Sequence, residues 1–194
     1  VWLIAASVFT QSAGPKALGQ ATAPATQSIK IANPLADFGF GIENLPPDEQ
    51  VKLLTRLGYE GLVLTGPDVN AVRGFGQLKQ VQDGSFRLYS LLWWAKLDEP
   101  LDSKWLDSLL VEMAKTNTSL WIVVDGQKHE QEKTVGFLRQ VADQCKARNV
   151  AMVLYPHART VFEDVEEQLA IWQKLDRKDV QLSIHLCHEL AHGN

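Results

Sequence analysis

Apolar residues along this chain follow two alternating rhythms. Short apolar runs suited to buried strands are separated by stretches with apolar positions three and four apart, the spacing of one helix face. The first run reads as a short strand over 37–44, with Glu43 at its C-terminal end. Pro46, Pro47, Asp48 and Glu49 then open a helix, since proline and acids suit a first turn. Its buried stripe is Val51, Leu54 and Leu57, and Gly58 ends it. A second strand, 59–65, is punctuated by Gly66, Pro67 and Asp68, and a weaker helical stretch covers 69–82. The third strand, 87–94, ends on Trp93 and Trp94. Asp102 and Ser103 cap the next helix, whose face is Trp105, Leu106, Leu109, Leu110 and Met113. Strand 120–124 ends at Asp125 and Gly126, and Val135, Leu138, Val141, Ala142 and Cys145 mark the helix after it. Strand 151–155 leads to His157, then to a helix bearing Val161, Val165, Leu169 and Trp172. A last strand, 180–184, runs straight into His185, His188 and Glu189.

From the second strand onward, strand starts recur about every 30 residues, the size of a βα unit. That alternation predicts a parallel sheet, and runs such as 121–124, apolar at every position, predict one covered on both faces. An open doubly wound sheet and a (β/α)₈ barrel both satisfy the pattern. Gly39 and Gly41 are only a fragment of a dinucleotide-binding G-x-G-x-x-G, which tells against the first. The strand ends collect Glu43, Thr65, Trp93, Trp94, Asp125, Tyr155, His157, His185 and His188, and a barrel carries its chemistry at that rim. The expectation is an α/β fold of (β/α)₈ TIM-barrel type over 31–194, incomplete, with about six βα units present and the C-terminal ones missing.

Composition narrows the partners. With 19 basic against 23 acidic residues and a net charge of −4, there is no electrostatic footprint for nucleic acid. The apolar block 2–9 is too short to span a bilayer. Followed by small residues and the linker-like 21–28, it reads as a truncated signal peptide, the competing reading being an apolar strand. Residues 1–30 are thus expected to be signal remnant plus linker, and the protein exported. Cys145 and Cys187 are too few for a disulfide framework and are expected to be buried free thiols.

The chemistry-bearing residues concentrate at the two last strand ends. His157, His185 and His188 offer imidazoles, and Glu189 a carboxylate, to a metal or a polar substrate. A divalent Mn, Zn, Co or Mg ion is the candidate cofactor, with His157, His185 and Glu189 as its ligands. His188, His157, Trp93 and Asp125 are the candidate substrate contacts, with one tryptophan of the pair stacking on a sugar ring. His185 and His188, three apart, reach one point only if the chain bends after Leu186. Each residue also has a plain structural role open to it: a satisfied core histidine, a packed tryptophan or a helix cap.

Three stretches in register, LLTRLGYEG at 53–61, VAMVLYPH at 150–157 and VQLSIHLCH at 180–188, resemble the xylose isomerase-like TIM-barrel superfamily of sugar isomerases and epimerases. The resemblance implies a divalent cation bound by Glu, Asp, His and Glu from successive strand ends. By register, Tyr155 stands at the first position and His185 at the second, and the other two lie past Asn194. It also implies that His188 touches a substrate oxygen. The expected function is sugar isomerisation or epimerisation by metal-assisted proton transfer, on a small carbohydrate. A lyase or hydrolase acting on keto-glycosides and a non-catalytic carbohydrate-binding barrel are the alternatives, the last favoured by Tyr155 in the glutamate position.

Overall fold

A computed structural model describes residues 35–192. The proposed signal remnant and linker, 1–30, lie outside them. Six strands alternate with helices: β1 (Ala36–Phe38), α1 (Pro47–Arg56), β2 (Gly61–Thr65), α2 (Val69–Gly76), α3 (Lys79–Gln82), β3 (Arg87–Lys96), α4 (Ser103–Lys115), β4 (Ser119–Asp125), α5 (Gln131–Ala147), β5 (Met152–Leu154), α6 (Val165–Leu175), β6 (Val180–Leu182) and α7 (Leu186–His192). The local signals hold. Pro47 occupies the first turn of α1, and Gly58 beyond its end adopts a φ of 89°. Asp102 caps α4 by accepting from the N–H groups of Lys104 and Trp105. The weak stretch 69–82 is two helices, α2 and α3, with a break at Gln77 and Leu78.

All pairings are parallel, and the spatial order is the chain order, β1 through β6. A doubly wound sheet reverses its strand order at a switch point, so this sequential order belongs to the barrel. It is the incomplete barrel-type α/β architecture expected.

Helices α1 to α6 lie against one face. The main core joins α1 (Val51, Leu54), α2 (Val72, Phe75), α4, α5 and α6 to the strand residues Leu62, Leu64, Leu91, Leu120, Ile122, Val124, Met152 and Leu154. Alternate strand residues form a second, smaller cluster of Leu92, Val123 and Tyr155 with Phe38 and Trp121, and no helix contributes to it. Of the two faces expected to be covered, one is covered by helices and the other carries this smaller cluster. Residues 121–124 are apolar throughout because one set packs under helices and the other lines the concave side.

Both cysteines are free. Cys145 is buried, which pushes its thiol up to about 12, whereas Cys187 is exposed on α7, contrary to the expectation of burial.

Candidate functional site

The site grows from the carbonyl of Leu154 at the end of β5. It accepts from the buried Gln168 Nε2 of α6 at 2.7 Å, from Ser183 Oγ at 2.8 Å and from Ser183 N at 3.1 Å. These bonds fix the exits of β5 and β6 against each other. After Ser183 the chain turns and α7 begins at Leu186, with the N–H of His188 donating to the carbonyl of His185 at 2.9 Å. The bend that brings residues 185 and 188 to one place therefore exists, as a helical turn. On the other side, the loop after β5 is closed by Thr160 Oγ1, which donates to the His157 carbonyl at 2.6 Å.

The three imidazoles meet there. Ring centroids of His185 and His188 lie 3.8 Å apart, and those of His157 and His188 4.2 Å apart. One nitrogen of each lies within 4.8 Å of the others, and all three rings are half-buried. Nδ1 of His185 is buried and has no hydrogen-bond partner. Burial, reinforced by the neighbouring His157, lowers the His185 pKa and favours its neutral ring; its own backbone opposes the shift. Tyr155 meets His185 edge-on at 5.4 Å and stacks on Trp121 at 5.1 Å. Burial pushes its phenol up to about 12, with Cys187 adding to the shift, so Tyr155 is a neutral wall of the site and no carboxylate substitute.

The other sequence candidates are placed differently. Trp93 turns to the helix side, edge-on to Trp105 at 5.2 Å and 6.0 Å from Phe137, so it does not reach the imidazoles. Trp94, one pleat on, stands 4.6 Å from His157 and is 44% exposed. Together with Phe38, Phe40, Leu92, Tyr155, His157 and His185 it lines a pocket of about 150 Å³. Glu189 Oε1 accepts the N–H of Val165 at 2.8 Å, at the start of α6, and its carboxylate is not part of the imidazole group. Asp125 is exposed at the end of β4, in register with Lys96, and also stands outside that group. Sequence reading passed over Trp94 as the member of the pair at the site. Strand periodicity counted from Leu88 does not find it, because the register of β3 on β2 shifts between Leu62 and Val63, whereas a count from Leu91, past the shift, puts Trp93 with the helices and Trp94 opposite.

Whether an ion suits this site depends on the donors. Magnesium and manganese are held by hard oxygen ligands, whereas the group here is three imidazoles with a neutral phenol beside them. Ring nitrogens, one of them buried without a partner, fit a zinc- or cobalt-class ion instead. Among the described residues no helix is long and apolar enough to cross a membrane.

Fold and rim together define an incomplete parallel α/β barrel with a histidine-rich, aromatic-walled pocket where its strands end. Solved structures share this architecture. A probable 3-DHS dehydratase, AsbF, involved in petrobactin synthesis in Bacillus anthracis, matches with a TM-score of 0.62 and 14% identity over 75% of this chain and 60% of its own. A Sinorhizobium meliloti protein matches with a TM-score of 0.63 and 18% identity over 80% of this chain and 64% of its own. A xylose isomerase-like TIM-barrel protein from Mycobacterium smegmatis, in complex with magnesium, gives a TM-score of 0.48 and 10% identity over 72% of this chain and 57% of its own. The chain thus spans less than two thirds of the length of each. No protein-family model and no curated protein matches it.

Proposed function

We propose that this rim binds a small carbohydrate and that the chain belongs to an enzyme moving a proton next to a sugar carbonyl, as in isomerisation or epimerisation. The observation that carries the reading is the convergence of His157, His185 and His188 beside the exposed face of Trp94. Imidazoles supply hydrogen bonds to sugar oxygens and lone pairs to a metal ion, and an exposed indole offers an apolar platform to the C–H face of a sugar ring. His157 and His185 would hold a zinc- or cobalt-class ion. When bound, such an ion polarises a carbonyl as a Lewis acid. The chain's own residues orient the ligand and keep water from its apolar side through Phe38, Trp94 and Tyr155. Export, as proposed from residues 2–9, would place this chemistry outside the cytoplasm.

A non-catalytic carbohydrate-binding barrel is the second reading, favoured by the neutral Tyr155 phenol in the position where the family resemblance calls for glutamate. The two separate in deuterated water. With a ketose such as D-fructose, the enzyme reading expects deuterium at the carbon next to the carbonyl, followed by NMR. Ketose binding with no exchange favours the binding barrel, and the absence of both binding and exchange refutes the carbohydrate assignment.

A further inference from the structure

Trp94 is a wall of two pockets. One is the space of about 150 Å³ beside His157 and His185. Small-molecule sites begin at roughly 300 Å³, so that space alone is short of what a whole ligand needs. The other pocket, of about 280 Å³, lies between the exit of β3 and the start of α4. Trp93, Trp94, Trp105 and Phe137 wall it, and Lys96 and Glu99 share its lining. The walls are built before any ligand arrives. Trp93 meets Trp105 edge-on at 5.2 Å and stands 6.0 Å from Phe137. Asp102 accepts from the N–H groups of Lys104 and Trp105, which holds the backbone of Trp105 in place. Aromatic rings gathered only for packing close on one another, whereas these surround an accessible space. At its mouth Lys96 Nζ donates to Glu99 Oε1 at 2.9 Å, with the two side chains 62% and 67% exposed. An exposed ion pair contributes little, so either partner can turn to a ligand at small cost.

We infer that the pocket between β3 and α4 is a second carbohydrate subsite, so that the ligand of this rim carries at least two sugar rings. The subsite rests on the carbohydrate reading above. The first ring lies beside the imidazoles and the second in this pocket, with the link between them passing over Trp94, whose ring is 44% exposed. The lining selects the class of the second group. A pyranose has C–H faces and a girdle of hydroxyls, which match indole faces bordered by an ammonium and a carboxylate. A bare hydrocarbon group would leave Lys96 and Glu99 without a use, and a phosphate would be drawn to Lys96 but opposed by Glu99. Trp93, turned away from the imidazoles, faces the ligand here instead.

The test compares D-fructose with lactulose and isomaltulose, two disaccharides that keep its ketose end and add one pyranose. Binding of each to the full chain is measured calorimetrically. At least one disaccharide is expected to bind about 10-fold more tightly than fructose, the scale of one added aromatic contact. Trp105→Leu and Glu99→Ala are each expected to weaken that disaccharide at least about 3-fold and to leave fructose within about 2-fold. Fructose binding with neither disaccharide tighter overturns the second subsite alone and leaves the first pocket's reading standing. Should Trp105→Leu fail to fold, Glu99→Ala decides, because it alters only an exposed side chain. A disaccharide affinity unchanged by Glu99→Ala also overturns the subsite. A chain that binds none of the three sugars refutes the carbohydrate reading, and the subsite with it.

Discussion

The backbone N–H of Ala158 donates to Nδ1 of His188 at 2.9 Å, joining the loop after β5 to helix α7. Glu189 of α7 adds a second anchor by accepting the N–H of Val165 at 2.8 Å. Leu186 and Leu190 are each 65% exposed, so the apolar contribution to its docking is small. Replacing His188 with Ala should remove about 1 kcal/mol of local stability. Amide hydrogen exchange should then rise across 186–191 while protection in β3 and β4 is unchanged. Uniform loss of protection through the sheet would show that α7 is not an independently opening unit.

The two adjacent tryptophans should respond oppositely to truncation. Trp93 is half-buried against Trp105 and Phe137, so Trp93→Ala is expected to cost about 2–3 kcal/mol, near or below the usual range for a large aromatic because part of the ring is already solvated. Trp94→Ala should change global stability by less than about 1 kcal/mol and abolish the fluorescence response to added ketose. Urea unfolding and sugar titration of both variants check this. A ligand response lost on changing Trp93 but kept without Trp94 would reverse the assignment.

Glu189 was expected among the metal ligands, and its Oε1 accepts the N–H of Val165 at 2.8 Å. Glu189→Gln keeps an acceptor at that place and should cost under about 1 kcal/mol, whereas Glu189→Ala should cost about 1 kcal/mol, comparable to losing a helix cap. Neither change should alter zinc affinity. Calorimetry showing a tenfold loss for Glu189→Gln would restore the carboxylate to the ion.

Acid sensitivity should involve the Arg177–Asp179 pair. The hydrogen-bonded guanidinium of Arg177 is the main cause holding the Asp179 carboxyl down at about 2, below the ordinary 3.8. The folded value is the lower one, so this carboxylate's contribution is present in full above the unfolded value and is lost as pH falls from about 4 to about 2. Solvent screening keeps it modest, since the Asp179 side chain is 38% exposed. Asp179→Asn should flatten the stability profile in that window and leave it unchanged near neutrality. A wild-type and variant difference confined to higher pH would contradict the pairing.

Much of the architecture could be read from the chain because helix and strand periodicities are local. The caps at Asp102 and the stop at Gly58 mark element ends through chemistry that their own neighbours complete. The face of each strand residue could not be read where every position is apolar, as at 121–124, because hydrophobicity then carries no alternation. The difference between Trp93 and Trp94 was hidden by the register shift of β3, which breaks the alternation counted from Leu88. The histidines themselves were legible, since a strand ending in imidazoles stands out against an apolar run. Their hydrogen-bond partners were not, because His157 and His188 both meet the peptide groups of Ala158, thirty positions from His188 in the chain, and an alanine gives no sign in sequence of what its backbone will bond.

The Leu154 carbonyl has a consequence for how this rim can change. Three donors from α6 and the β6 exit converge on one oxygen, so the depth at which His157 sits is indexed to both neighbours at once. A substitution at Gln168 or Ser183, neither of which belongs to the imidazole group, would detune the spacing of the rings before it loosened the sheet. New specificity at this rim would then come more readily from exchanging wall residues such as Phe40 or Trp94 than from moving the histidines.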